Sequence, residues 1–232
     1  MKETIYTIPI NEAFDLYEGC PLCVLYNKLE YGSLEYTMGA SMMEPDVRVK
    51  TNEQGFCHRH LQKMLAEKNK LSLALMIESH LPELSASLFS RAIHPAGKTP
   101  ELKKIREAAK KAAGGCYICS RISLFMGHYY KNIFYLWRKE PDFREKFRRQ
   151  LFYCIPHYAA LLDFAEHSLP KKQQAEFAAE LTDVCKVYLT SLSGDISEFC
   201  KSFDYRNAGR ELGRNAQTAA DRAAAFLTGV MS

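Results

Sequence analysis

No run of about 18 apolar residues occurs anywhere in the 232-residue chain, so no stretch reads as a membrane-crossing helix. The first residues, Met1 to Ile5, lead into a segment containing Glu12, Asp15 and Glu18 without an apolar h-region, which argues against a secretory signal. Strand-type alternation is nearly missing, and this excludes a sheet-based fold. An excess of one charge is also lacking. Lys and Arg number 31 against 27 acidic residues, and the net +4 is too mild to predict a nucleic-acid or membrane partner from composition. The sequence contains no Gly-rich phosphate loop, no G-x-S-x-G and no H-E-x-x-H, so no residue set nominates a reaction and an enzyme is not expected.

What is present is apolar material and cysteine. With 47% hydrophobic and 12% aromatic residues the chain can bury a sizeable core. Eight cysteines without a secretory signal point to a reducing cytoplasm, where paired cysteines more often hold metal than form disulfides.

Six of those cysteines fall into a pattern. Gly19-Cys20-Pro21-Leu22-Cys23 is followed some 34 residues on by Cys57-His58-Arg59-His60, and Gly115-Cys116-Tyr117-Ile118-Cys119 by Cys154-Ile155-Pro156-His157. Three thiolates and an imidazole make a closed tetrahedral set of the kind structural zinc uses. Positions i and i+3 share one helix face, so each C-x2-C and each C-x2-H can present two ligands to one ion. A third landmark makes the pattern a duplication: Glu44-Pro45-Asp46-Val47-Arg48-Val49-Lys50 returns as Glu140-Pro141-Asp142-Phe143-Arg144-Glu145-Lys146. Cys20 to Cys116 and Pro45 to Pro141 are both 96 positions, and Cys57 to Cys154 is 97. The register selects His60 over His58, because the second half offers only His157, at the third position after its cysteine.

These residues predict two zinc ions, one within each half: Cys20, Cys23, Cys57 and His60, then Cys116, Cys119, Cys154 and His157. Pairing across the halves is the alternative, since sequence order does not fix space. Arg59, inside the first C-x2-H, is expected to screen the site's negative charge. Disulfides and an iron–sulfur cluster are alternative uses of the same cysteines. Cys185 and Cys200 have no twin in the first half, and Cys185 sits on an apolar stripe as a packing residue. His80, His94, His128 and His167 fit surface or capping roles.

The fold class is all-α, a helical bundle of two internal repeats, each with a C-x2-C…C-x2-H site. Residues 1–94 form the first repeat, 95–203 the second and 204–232 a C-terminal helical tail. Residues 4–10 read as extended, with a first helix from Pro9 or Asn11 to Glu18. Pro21 opens a helix whose stripe is Leu22, Leu25, Tyr26 and Leu29 and which ends near Gly39. Pro45 opens a short element closed by Gly55. The apolar segment from Leu71 to Ile77 is expected to break at Pro82, and His94 to Pro100 reads as a linker. In the second half Phe143, Phe147 and Leu151 repeat at i+4, and a helix from Lys171 to Phe203 is interrupted at Gly194. Ala216 to Leu227 forms a last helix, while Arg206, Arg210, Arg214 and Arg222 make a solvated face. The apolar faces at residues 71–77 and 177–192 are expected to cover one another, leaving a ligand groove between the repeats.

The G-C-P-L-C, M-M-E-P-D-V-R-V-K-T-N, G-F-C-x-x-H and C-I-P-H-Y segments together resemble an uncharacterised bacterial domain-of-unknown-function family, catalogue number 6062, over nearly the whole chain. The resemblance implies no activity. The reading is therefore a cytoplasmic, zinc-stabilised helical scaffold for a protein or small-molecule partner. One alternative is a zinc-thiolate redox or metal sensor. Another is a nucleic-acid-binding protein using Arg138, Lys139, Arg144, Lys146, Arg148 and Arg149 beside Tyr135 and Trp137.

Overall fold

A computed structural model describes residues 5–89, 99–207 and 211–229. Among the described residues there are twelve α-helices, two short 3-10 turns and no strand. In chain order the helices are α1 (Thr7–Asp15), α2 (Pro21–Met38), α3 (Pro45–Gln54), α4 (His58–Ala66), α5 (Lys70–Phe89), α6 (Thr99–Gly114), α7 (Tyr117–Lys139), α8 (Pro141–Arg148), α9 (Ile155–Ser168), α10 (Lys171–Ser202), α11 (Arg214–Gln217) and α12 (Ala219–Thr228). None of them is long and apolar enough to cross a membrane. The linker expected at His94 to Pro100 lies largely outside the described residues, as do His94 and Arg210; helix α6 has already begun at Thr99.

Contacts divide the chain into two compact units that do not follow the sequence halves. One comprises residues 1–28 and 125–232, the other residues 29–124. Both divisions fall inside a helix, the first within α2 and the second within α7.

The first unit is built around aromatic rings. Pro141 fits the first turn of α8, where its missing N–H has no partner to lose, and Asp142 complements the positive helix end. Spacing of four then puts Phe143 and Phe147 on one buried face. Phe14 of α1 meets Phe143 with ring centroids 4.9 Å apart, and Phe147 meets Tyr153 at 4.9 Å and Phe177 at 5.1 Å. Phe134 and Trp137 of α7 pack on the same Phe177, at 4.9 and 5.3 Å. A second cluster joins Phe152, Tyr188 and Phe226, the last docking α12. The buried stripe of α10 (Phe177, Leu181, Val184, Cys185, Tyr188, Leu192) is covered by elements of this unit, α8, α9, α11 and α12.

In the second unit α3 lies along α5, burying Val47 and Thr51 on one side and Leu73 and Met76 on the other. The apolar face at 71–77 is thus covered by α3, and Leu71 itself is exposed. Gly55 ends α3 at φ 62°, a left-handed conformation that favours glycine, and its N–H caps Thr51 O at 2.8 Å.

Several helix boundaries differ from the sequence reading. Helix α1 starts at Thr7, inside the segment read as extended, because Thr7, Ile10, Ala13 and Phe14 form one buried face. Helix α5 runs through Pro82. Just before the proline, Ser79 Oγ bonds Asn52 Oδ1 at 2.8 Å and His80 Nδ1 donates to Asn52 O at 2.8 Å, tying the helix to α3. Helix α10 passes Gly194 without a break. The penalty of about 1 kcal/mol for a helical glycine is offset by burial of Leu192 and by Asp195, which pairs with Arg222 at 2.6 Å. Arg222 therefore belongs to no solvated face. Leu151 lies beyond the end of α8, 46% exposed, so the i+4 run stops at Phe147. The last helix is two helices, α11 and α12.

Candidate metal centres

The first cysteine of each motif stands immediately before a helix, and the second ligand is the third residue inside it. Cys20 precedes α2, Cys57 α4, Cys116 α7 and Cys154 α9, so Cys23, His60, Cys119 and His157 all sit in first turns. Each cap carbonyl receives the first helical bond: Val24 N to Cys20 O at 3.4 Å, Leu61 N to Cys57 O at 2.9 Å, Ser120 N to Cys116 O at 3.0 Å and Tyr158 N to Cys154 O at 2.8 Å. The four pairs are thus four helix N-termini, where the positive end of the dipole favours thiolate. In α7 the Cys119 N–H also points at Cys116 Sγ, 3.4 Å away. The two preceding glycines serve different purposes. Gly19 has φ 148°, which disfavours any side chain, whereas Gly115 is needed for space, since a Cβ there would lie 2.2 Å from Gln54 O.

The N-termini meet in pairs. Cys20 and Cys23 join Cys154 and His157; Cys57 and His60 join Cys116 and Cys119, and in each tetrad the ligand atoms lie within 4.8 Å of one another. Each tetrad falls inside one compact unit, the first in residues 1–28 and 125–232, the second in 29–124. The within-half sets expected from sequence order are therefore corrected: the C-x2-C of one half meets the C-x2-H of the other. Helix lengths go with this arrangement. Helix α2 has 18 residues and advances about 27 Å, while α3, with 10, covers about 15 Å. In the second half α7 has 23 residues and α8 only 8, about 35 Å against 12 Å. Neither short helix by itself spans the length of the helix before it.

The separations match those around a single ion. Tetrahedral bonds of about 2.3 Å to sulfur and 2.0–2.1 Å to nitrogen put ligands about 3.8 Å (S···S) and 3.5 Å (S···N) apart. In the first tetrad Cys23 Sγ is 3.6 Å from Cys154 Sγ, and His157 Nδ1 is 3.6, 3.5 and 3.1 Å from the sulfurs of Cys20, Cys23 and Cys154. In the second, Cys57 Sγ is 3.8 Å from Cys119 Sγ, and His60 Nδ1 is 3.2, 3.3 and 3.3 Å from those of Cys57, Cys116 and Cys119. Both imidazoles turn Nδ1 inward. His58 is exposed and outside the tetrad.

Without a cation, three crowded thiols do not ionise together. Hydrogen bonds from Cys154 and Cys20 hold the Cys23 thiol far below its ordinary value, while burial drives Cys20 well above it. Cys154 is drawn down by Cys20 but raised more by Cys23 and by burial, to about 12. In the second tetrad burial of the Cys57 sulfur is outweighed by bonds from His60, Cys116 and Cys119, which lower its thiol. The Cys119 side chain reaches solvent, yet crowding of its sulfur and the neighbouring Cys116 push that thiol up to about 12. A divalent cation would supply the charge that lets all three ionise.

The two centres differ in their surroundings. All four residues of the first are buried, close to Tyr153 and Tyr130, whose hydroxyls burial and the adjacent thiols raise well above the usual phenol range. The second is open on one side: Cys57 is half-buried and Cys119 exposed. Its histidine is held from behind by a residue that motif reading misses. Glu30, only 1% exposed, accepts from His60 Nε2 at 3.0 Å and pairs with Arg59 and with Lys63, each at 2.5 Å. Since a carboxylate only accepts, Nε2 carries the ring proton and the Nδ1 lone pair faces the sulfurs. Desolvation opposes the Glu30 charge, but Lys63 and Arg59 hold its carboxyl below the ordinary range. Arg59 therefore acts through Glu30. The available signal was a carboxylate on the apolar stripe of α2, two turns beyond Leu22.

Four of the six basic residues considered for nucleic acid are engaged with acids. Arg144 binds Glu176 and Glu180 and lies 4.2 Å over the Trp137 ring, Lys146 meets Asp15 at 2.7 Å, and Arg148 and Arg149 reach Glu180 and Glu145. Trp137 is buried and donates to Glu180 at 2.8 Å, so it offers no stacking platform.

Comparison with curated proteins and with solved structures returns no match. The model of DUF6062, a family of unknown function, matches residues 1–232, and the chain belongs to that family.

Proposed function

We propose that this protein is a zinc-stabilised helical scaffold whose two Cys3His centres are structural. The observation that carries the reading is the double convergence of three sulfurs and one Nδ1 within 4.8 Å. Four protein ligands complete a tetrahedron and leave no position for a substrate water, which disfavours hydrolytic catalysis. Single-ion separations also favour zinc over an iron–sulfur cluster, which spreads its cysteines over several irons. All eight cysteines are free thiols, in keeping with a reducing cytoplasm.

The parallel succession of helices supports an internal duplication: α2 and α7 follow a C-x2-C start, α3 and α8 begin at E-P-D, and α4 and α9 carry C-x2-H. The duplicated halves are tied by ions that each take ligands from both. A cleft of about 330 Å³ between α3, α5 and α6, lined by Asn52, Glu53, Gln54, His80, Glu83 and Lys111 among others, offers a place for a partner or small ligand.

Elemental analysis of protein purified without added metal tests the reading. Two zinc equivalents and a colourless solution are expected. A coloured protein with iron and sulfide, or protein fully folded without metal, would overturn it.

A further inference from the structure

We propose that the Cys57–Cys119 pair is an oxidative modification site, at which a peroxide converts two zinc thiolates into a disulfide and expels the ion. The centre of Cys20, Cys23, Cys154 and His157 remains closed. This deepens the metal-thiolate reading and rests on it.

The two centres share ligand types and separations but differ in access. Every residue of the first is buried, whereas Cys57 and Cys119 of the second both reach solvent. Thiolate oxidation follows access, so identical chemistry gives unequal reactivity. Within the second centre the most accessible sulfurs are also a pair. Cys57 Sγ and Cys119 Sγ are 3.8 Å apart, about 1.8 Å more than a disulfide requires. The Cys116 sulfur is buried and accepts the Cys119 N–H. The two sulfurs come from different helix starts, α4 and α7, so the new bond would join elements 62 positions apart.

The step balances. The Cys119 thiolate attacks one peroxide oxygen; the O–O bond breaks, and the departing hydroxide takes a proton to become water. The Cys57 thiolate then attacks the Cys119 sulfur, forming S–S and breaking S–O, and the second hydroxide is protonated to water. Two thiolates have supplied two electrons to one peroxide and two protons have been consumed. The zinc ion keeps only Cys116 and His60, two ligands of four, and leaves.

The test uses the full chain, reduced and zinc-loaded, with hydrogen peroxide added stepwise. Released zinc is followed with a chromogenic chelator, and disulfides are mapped by peptide mass spectrometry. The exposed Cys200, outside both tetrads, serves as the internal reference thiol. Expected is loss of one of two zinc equivalents, accompanied by a Cys57–Cys119 disulfide while Cys20, Cys23 and Cys154 stay unmodified. Cys119→Ser should abolish that disulfide and the peroxide-driven release; where this variant has already lost zinc, the wild-type peptide map decides alone. Simultaneous loss of both ions, a first disulfide among Cys20, Cys23 and Cys154, or retention of both ions once Cys200 is oxidised would overturn the inference and leave the two-centre reading standing. Protein that starts with no zinc would overturn both.

Discussion

Cys23 and Cys154 stand 131 positions apart in the chain and 3.6 Å apart at their sulfurs. An ion between them would close most of the molecule into one loop, with the loop between Cys57 and Cys119, 62 positions, nested inside it. Closure entropy grows only as the logarithm of loop length, so crossing the halves costs about 1 kcal/mol more than the within-half spacing of 34. That is small beside the 10–16 kcal/mol apparent binding energy of structural zinc.

Pairs of serine substitutions therefore distinguish the two connectivities. Cys20→Ser combined with Cys154→Ser should leave one zinc per chain, because both changes strike one centre. Cys20→Ser combined with Cys57→Ser should leave none. Elemental analysis reads the difference, and one zinc remaining in the second pair would restore within-half binding.

The two adjacent histidines should behave oppositely. His60→Ala removes the Nδ1 that faces three sulfurs and should lose the zinc of the second centre. His58→Ala alters an exposed side chain and should retain two equivalents.

How much of this was legible depends on what kind of information spacing carries. The third-residue separation in C-x2-C and C-x2-H reports local geometry, and all four pairs do open helices. It says nothing about which helix ends meet, because the segment between each C-x2-C and the next C-x2-H is long enough for either pairing. Propensity marks Pro82 and Gly194 as breaks, and tertiary anchoring on Asn52 and Arg222 overrides it. Leu151 followed the period of Phe143 and Phe147, yet α8 had already ended. Glu30 was hidden because a single carboxylate in a helix is ordinary until its burial is known.

Glu30→Gln tests that carboxylate. The amide keeps the shape but weakens the hold on the His60 ring and leaves Arg59 and Lys63 without their shared counter-charge. Outer partners of this kind commonly contribute 10- to 100-fold in metal affinity. Chelator competition should show a loss of that order for one zinc equivalent and no change in the other. An unchanged first and second equivalent would reduce Glu30 to an ordinary ion-pair residue.

The aromatic core offers a stability prediction independent of metal. Phe177 is fully buried against Phe134, Trp137 and Phe147, so Phe177→Ala should cost about 3–5 kcal/mol in chemical denaturation of the zinc-loaded protein. Phe203→Ala, at a position 76% exposed, should stay within about 0.5 kcal/mol.

Gly114 and Gly115 make a final, matched pair. A Cβ at Gly114 meets nothing within 4 Å, whereas one at Gly115 would lie 2.2 Å from Gln54 O and 3.2 Å from Lys111 O, both backbone atoms that cannot swing aside. Close by, Tyr117 N donates to Gly55 O at 3.0 Å, so the end of α3 and the start of α7 are already in register. Gly115 is also the residue before Cys116, and any shift that relieves the overlap moves a sulfur of the second tetrad. Gly114→Ala should therefore leave stability and metal content close to those of the parent. Gly115→Ala should lower stability by about 1–3 kcal/mol, the usual range for overpacking, and should weaken zinc binding at the second centre alone. Denaturation midpoints and chelator competition on the two variants measure both effects. Equal behaviour of the two alanine variants would mean that the approach of α3 to the α7 start does not hold Cys116 in place.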